Sequence, residues 1–406
     1  MLVAGILIWD AWFRQPVAEP VTEQTYRAVV VSEPAEKPKT VGVELLILPS
    51  QERITCYIHK DERSRQIALG DGLTVTMRLQ NRSYVPAGNW QKASFPLQQL
   101  SLVERCRLRC LQFRHQLLLH YRQEGIEGAA YGVIAAMTLG DRSALTPEVR
   151  ETFNVTGATH VLALSGLHMG IIYSLLSLLV VGRRFRVLSQ LLIVVAIWAF
   201  AFLVGLPSSV IRSATMLSIY ALLSLGARKR MSVNVLALTA VCMLAARPLV
   251  LFDVGFQLSF LAVLGILLWV PLFEGLVSAR FMQGHPVVRW LWGLFTVSFA
   301  AQLAVAPLIV YYFGRFPPYF LLTNLVVIPA TTLILYVSLF MLVVPSVAAP
   351  VLVALTWLLT TWLGALSRLP LASIDGLHPS ALTVVVIYAV ILAANLWLRQ
   401  KAVVRR

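Results

Sequence analysis

The pattern of hydrophobic and polar positions changes twice along the chain. Residues 14–100 alternate apolar with polar positions, residues 101–158 are mixed, and the sequence after His160 is close to continuously apolar. In the first stretch Tyr26–Val31, Val41–Leu48, Arg53–His59 and Leu73–Leu79 carry β-branched residues in partial alternation, separated by Pro34, Pro38, Pro49 and the Gly70-Asp71-Gly72 turn. About four or five short strands in such a span predict a small β-barrel of the OB type. In the second stretch Leu102, Val103, Cys106, Cys110, Phe113 and Leu117 recur at helical spacing, with Arg105, Arg107, Arg109 and Arg114 between them. That is the pattern of an amphipathic basic helix.

The third stretch reads as a helical bundle in a bilayer. A crossing of roughly 30 Å needs roughly 20 apolar residues, and runs of that kind are centred on residues 161–181, 187–205, 209–226, 233–250, 255–273, 288–312, 320–344, 348–367 and 381–398. The start, Met1 to Phe13, is apolar without the flanks of a cleavable leader and is read as a short anchor helix. The expected fold is mainly α: a polytopic bundle of about nine to ten spans with a small extracytoplasmic β-barrel. The expected segments are an anchor at 1–13, the barrel at 14–100, an amphipathic connector at 101–158 and the membrane domain at 159–400.

Charge orients these spans. Arg183, Arg184 and Arg186, then Arg228, Lys229 and Arg230, then Arg280 and Arg289, then Arg399, Lys401, Arg405 and Arg406 fall on alternate loops, which makes those loops cytoplasmic. Residues 14–158 are then outside and the C-terminus inside a multi-pass inner-membrane protein. Composition agrees, because 58% of the 406 residues are apolar and 13% charged, too few charges for a water-facing surface. The net charge of +15 discriminates little, since membrane proteins collect Lys and Arg in cytoplasmic loops. The four cysteines lack zinc-type spacing. Cys56, Cys106 and Cys110 would lie in an oxidising compartment, so a bridge from Cys56 to Cys106 or Cys110 is one expectation and free thiols the other.

Ionisable groups at membrane depth are costly and tend to face a bundle interior or a watery cavity. The densest set is His160-Val-Leu-Ala-Leu-Ser165-Gly166-Leu-His168-Met-Gly170. If this stretch is one helix, His160 and His168 share a face with Ser165 nearby. Arg212, just after Pro207-Ser208-Ser209, faces a polar cavity or snorkels. Asp253 pairs with a cation or caps a helix, and Gln257, Gln302 and Asn324 are further polar groups inside spans. Packing of small residues, with histidines bonded to nearby carbonyls, is the structural alternative to a transport pathway.

Five blocks together resemble the ComEC-type competence proteins, membrane channels for DNA uptake. They are Gly140-Asp141-Arg142-Ser143, the run from Gly157 to Gly170, Pro207-Ser-Ser-Val-Ile-Arg212, Asp253-Val-Gly-Phe-Gln257-Leu-Ser-Phe260 and Asn324-Leu-Val-Val-Ile-Pro329. The segment around Gly70-Asp71-Gly72 is similar to the end of that family's OB-like domain. The family's Asn-Pro-Gly and Phe-Asp-Tyr signature after it is not found, and the dense His-x-His-x-Asp-His cluster of the metallo-β-lactamase domain in many members is absent among the seven histidines.

The resemblance implies a channel for single-stranded DNA during natural transformation, with no catalytic centre, metal or cofactor. It implies a pathway of His160, Ser165, Gly166, His168, Arg212, Asp253, Gln257, Gln302 and Asn324, and strand binding by Arg53, Tyr57, Arg78, Arg82, Tyr84 and Trp90 of the β domain. Implied partners are single-stranded DNA, membrane lipids, a separate DNA receptor, nuclease and cytoplasmic ATPase, and a second copy as homodimer. Two other classes compete. A small-solute secondary transporter would show paired broken helices in matching repeats, and an intramembrane hydrolase would use Ser165 and His168 with a third orienting group.

Overall fold

A computed structural model describes residues 23–78, 82–94, 99–179, 186–224 and 232–404. Met1 to Phe13, expected as an anchor, lies outside the described residues, as do the basic loops around Arg183 and Arg228. The chain forms two compact units: residues 1–120 with 199–206, and residues 121–198 with 207–406.

In the first unit the strands are β1 (Gln24–Val30), β2 (Ala35–Glu36), β3 (Thr40–Leu48), β4 (Arg53–His59), β5 (Gly72–Met77), β6 (Arg82–Val85) and β7 (Trp90–Lys92). They pair in the order β6-β4-β3-β1-β5-β7, with β2 on β3. All pairs are antiparallel except β4 with β6. Alternation sets the inward face: Ile54, Cys56 and Ile58 of β4 and Leu73, Val75 and Met77 of β5 join Ala28, Val30, Val43 and Leu45 in one core. The other face of β1 and β3 is buried as well, where Val29, Val31, Leu46 and Leu48 meet Leu100 and Leu108. That explains the run Ala28-Val-Val-Val31, apolar at every position because both sides of this strand are covered. The sheet is a curled half-barrel, not the closed barrel expected from the sequence. β6 and β7 are its end strands, with no pairing between them among the described residues.

The helices are α1 (Leu102–Gln123), α2 (Gly128–Leu139), α3 (Pro147–Val155), α4 (Thr159–Leu162), α5 (Gly166–Leu179), α6 (Arg186–Leu203), α7 (Ser208–Leu223), α8 (Ser232–Ala246), α9 (Val254–Glu274), α10 (Ala279–Gly284), α11 (Pro286–Phe313), α12 (Phe320–Met341), α13 (Pro345–Ser367) and α14 (Ala381–Val404). Short strands β8 (Arg315–Phe316) and β9 (Ile374–Asp375) pair between helices, held by Arg315, whose Nη1 is 3.1 Å from Glu151 and whose Nε is 3.2 Å from Asp375.

Among the described residues five helices, α9 and α11 to α14, are long and apolar enough to cross a membrane. Each of the nine apolar runs read from the sequence contains helix, but α5, α6, α7 and α8 are shorter apolar helices. The count of about nine to ten full crossings is therefore not reproduced. The expected connector at 101–158 is not uniformly amphipathic either. Nine of the 12 residues of α2 are buried, because Gly128-Ala-Ala-Tyr-Gly-Val-Ile-Ala-Ala-Met has small or apolar residues all round.

Close approach of backbones shapes the bundle. A Cβ on Gly265 of α9 would lie 2.4 Å from Ala304 Cβ and 2.8 Å from Ala300 O of α11. Small residues here let two long helices touch along their backbones, the usual packing where no water drives association.

Candidate functional site

The histidine-rich run is not one helix. It breaks between α4 and α5 at Ala163-Leu164-Ser165, and side chains from other segments bond the carbonyls freed by the break. Arg142 Nε donates to Leu162 O at 3.1 Å, and Ser209 Oγ of α7 donates to Leu164 O at 2.6 Å. Irregular backbone inside a bundle requires such partners. Arg142 is itself fixed by the turn Gly140-Asp141, where Gly140 ends α2 at φ +74° and Asp141 accepts from the Ser143 N–H and hydroxyl, both at 3.0 Å.

Ser165 starts α5. Its backbone N–H reaches His168 Nδ1 at 3.3 Å and its hydroxyl lies 3.1 Å from the same nitrogen. This is the back-reaching half of a capping box, with histidine where glutamate usually stands. A backbone N–H can only donate, so Nδ1 is the acceptor and a neutral ring carries its proton on Nε2. His168 is fully buried, and Nε2 has no hydrogen-bond partner. Gly166 lets α7 pass closely, since a Cβ there would sit 3.2 Å from Ser213 Oγ.

α7 begins after Pro207, with no side chain capping it. One turn in, Arg212 is 4% exposed, which removes the snorkelling reading. Its Nη2 donates to Ser259 Oγ of α9 at 3.1 Å, and its Nη1 stands 3.6 Å from Asp253 Oδ1. Its Nε and Nη1 make no hydrogen bond. Asp253 does both things expected of it: it faces Arg212 and caps α9, accepting from the Phe256 N–H at 2.7 Å. Gly255 is the residue that fits between them, because a Cβ would lie 3.0 Å from Asp253 Oδ1 and 3.2 Å from Arg212 Nη2. Three helix starts, those of α5, α7 and α9, are thus tied together by Ser209, Ser213, Arg212 and Asp253. Each start carries partial positive charge, roughly +0.5 of an elementary charge, so the locality favours an anion.

Among the described residues the remaining pathway candidates make no side-chain hydrogen bond to this cluster. His160 bonds its own turn, Nδ1 to Gly157 O at 3.0 Å, and is exposed. The shared face with His168 fails because the helix that would supply it is broken. Gln257 is satisfied, donating to Leu251 O and accepting from Tyr312 Oη, both at 2.9 Å. Gln302 Nε2 and Asn324 Oδ1 are buried without partners. Sequence reading missed Ser209, Ser213 and Ser259 as site residues and did not single out Arg142. Their sequence signal is position: Arg142, Ser209 and Ser259 lie inside the motif blocks and Ser213 directly follows one of them. Among the described residues no three His, Cys, Asp or Glu side chains gather as a metal site requires.

On the half-barrel the candidate strand-binding residues divide. Tyr84 is exposed, and its register partner on β4 is Tyr57, so both rings leave the outer face. Tyr57 covers Gly42, whose Cβ would lie 3.4 Å from the ring, and Lys37 Nζ is 4.3 Å from its centroid. Trp90 is 3% exposed within the core; it is a core aromatic and offers no face for stacking. Arg53 pairs with Glu104, Arg78 follows β5 directly, and the side chain of Arg82 lies outside the described residues. The Cys56 bridge is not formed. All of Cys56, Cys106 and Cys110 are free, because alternation turns Cys56 into the barrel core while Cys106 is exposed on α1. Burial pushes the Cys56 thiol up to about 12.

A family described as Competence protein matches residues 137–401, the segment that holds every member of the Arg212 cluster. The chain belongs to the competence protein family. Among curated relatives, ComE operon protein 3 of Bacillus subtilis (strain 168) is 26% identical over 273 residues, 64% of this chain and 34% of that protein. Recombination protein 2 of Haemophilus influenzae (strain ATCC 51907 / DSM 11121 / KW20 / Rd) is 27% identical over 215 residues, 50% of this chain and 27% of that one. An uncharacterized protein of Aquifex aeolicus (strain VF5) is 35% identical over 199 residues, 45% and 48% of the two chains. The chain therefore spans less than half the length of these relatives. No solved structure matches it.

Proposed function

We propose that this chain conducts single-stranded DNA across the inner membrane during natural transformation, receiving the strand outside on the half-barrel and passing it through the helical unit. The observation that carries this reading is Arg212: a guanidinium nine-tenths buried among apolar helices, with two nitrogens unbonded and three helix starts around it. A buried cation of this kind is costly unless an anion or a wet route meets it. Family membership makes DNA the anion to test. Ser165, Gly166, His168, Arg212 and Asp253 line the central station of the route, with Gln302 and Asn324 as further polar groups along it and His160 at a margin. Tyr57 and Tyr84 provide the outer stacking surface.

The intramembrane hydrolase reading finds less support, because Ser165 and His168 are joined as a helix cap and His168 Nε2 has no acid to orient it. Labelled-DNA uptake into the cytoplasm tests the channel. His168→Gln preserves the cap, since glutamine reaches back as well as histidine, but removes the imidazole. Normal protein level with lost uptake is the expected result. Unchanged uptake in His168→Gln and Arg212→Gln, both at normal level, removes the channel reading.

A further inference from the structure

We infer that the Arg212 cluster is a phosphodiester-binding station, in which Asp253 is the resting partner that a passing diester displaces. The identity of the polymer rests on the DNA-conducting reading; the chemistry rests on geometry.

Arg212 presents five N–H donors in a planar fork. In this structure one set is engaged, Nη2 on Ser259 Oγ. Nε and Nη1, on either side of Nη2, have no hydrogen bond, so three of the five N–H groups are unbonded. Among the described residues its counter-charge is Asp253 at 3.6 Å, beyond hydrogen-bond reach and with its side chain 49% exposed. A buried guanidinium with Nε and Nη1 unbonded is an incomplete arrangement, and the non-bridging oxygens of a phosphodiester are acceptors of the kind that complete it. The start of α7 has no capping side chain, and the partial positive charge of that helix start carries the same preference for an anion.

Asp253 explains why such a station need not become a trap. Conduction requires that an ion bind well enough to come in and weakly enough to leave. The cap on Phe256 and the approach to Arg212 both use Asp253 Oδ1, at 2.7 and 3.6 Å, and the short cap bond stands without the longer approach. Asp253 can therefore let a diester take Nη1 without unwinding α9, and then return as competitor. Gly255 keeps this exchange open, since any side chain there would press on both Asp253 Oδ1 and Arg212 Nη2.

Lipid headgroups and DNA both carry phosphodiesters, so the test has two arms. The full chain is purified in a phospholipid-free detergent. One probe is a fluorescein-labelled abasic deoxyribose-phosphate oligomer, which has diesters but no bases to stack on the sheet; the other is a short-chain phosphatidylglycerol. Arg212→Lys keeps the charge and loses the fork, and is expected to weaken binding by about tenfold. Asp253→Asn keeps the cap and removes the competing charge, and is expected to tighten binding by several-fold. Both changes in the oligomer arm support the station and the DNA reading together. Both changes in the lipid arm alone support the station and count against DNA as its ligand. Equal affinities for wild type and both variants in both arms overturn the inference. If Arg212→Lys does not fold, Asp253→Asn decides, and unchanged affinity overturns it.

Discussion

Arg212 and Asp253 lie on different helices, 41 residues apart in sequence, and meet at 3.6 Å with very different exposure: the arginine side chain is 5% exposed and the aspartate 49%. Asp253 also accepts from the Phe256 N–H, so one carboxylate serves a helix start and a buried cation.

These two roles separate by mutation. Asp253→Ala loses the cap and the counter-charge together and is expected to destabilise the chain by about 1–3 kcal/mol. Asp253→Asn keeps a good cap and is expected to lose less than half of that. Thermal melting in detergent, followed by tryptophan fluorescence, measures both; equal losses would show that the cap contributes little.

Gly265 is expected to be intolerant of any side chain. The added Cβ would fall 2.4 Å from Ala304 Cβ and 2.8 Å from Ala300 O, so α9 and α11 must separate. Gly265→Ala is expected to cost about 1–3 kcal/mol by overpacking. Gly364, whose Cβ would meet nothing within 4 Å, is the matched control, and Gly364→Ala is expected to leave the melting temperature unchanged or raised.

Cys56 should report the integrity of the half-barrel through its titration. Its folded thiol is held near 12 by burial against an ordinary value of 9.0. Between those values the unfolded chain gives up its proton first, so this residue makes stability fall as pH rises through the window. Cys56→Val should remove that slope. A maleimide pulse on the native protein, read by mass spectrometry, should label exposed Cys106 well before Cys56, and equal rates would contradict the buried position.

Tyr84 and Trp90 separate binding from folding on the same sheet. Tyr84→Ala removes a ring that is 51% exposed and outside the core and is expected to weaken single-stranded DNA binding by about 1–3 kcal/mol, the contribution of one base stack. Trp90→Ala empties part of the core and is expected to cost about 3–5 kcal/mol of stability. Chemical denaturation alongside oligothymidylate anisotropy checks both. A Tyr84→Ala protein with wild-type affinity would remove the outer-face stacking role.

How far the chain was legible before folding varies with the range of the interaction. Alternation placed β1, β3, β4 and β5 nearly where they are, and unbroken apolar runs marked α9 and α11 to α14, because both patterns are local and periodic. Family motifs pointed to Ser165, His168, Arg212 and Asp253. The break between α4 and α5 was not legible, since Ala163-Leu164 is ordinary helical sequence. Arg142 and Ser209, from distant segments, bond the carbonyls of Leu162 and Leu164 just before Ser165 and make a helix start there acceptable. The misreading of Trp90 as a platform had the same origin: which face of a short end strand is covered depends on the curl of the whole sheet.

By itself, then, the sequence determined what is greasy, what alternates and which polar residues a bilayer must somehow accommodate. Only the tertiary structure decided that α5, α7 and α9 start beside one another, that His160 and His168 fall on separate helices and that Cys56 turns inward. The physical reason is that buried polar groups are governed by who bonds them, and those partners come from parts of the chain that no local pattern connects.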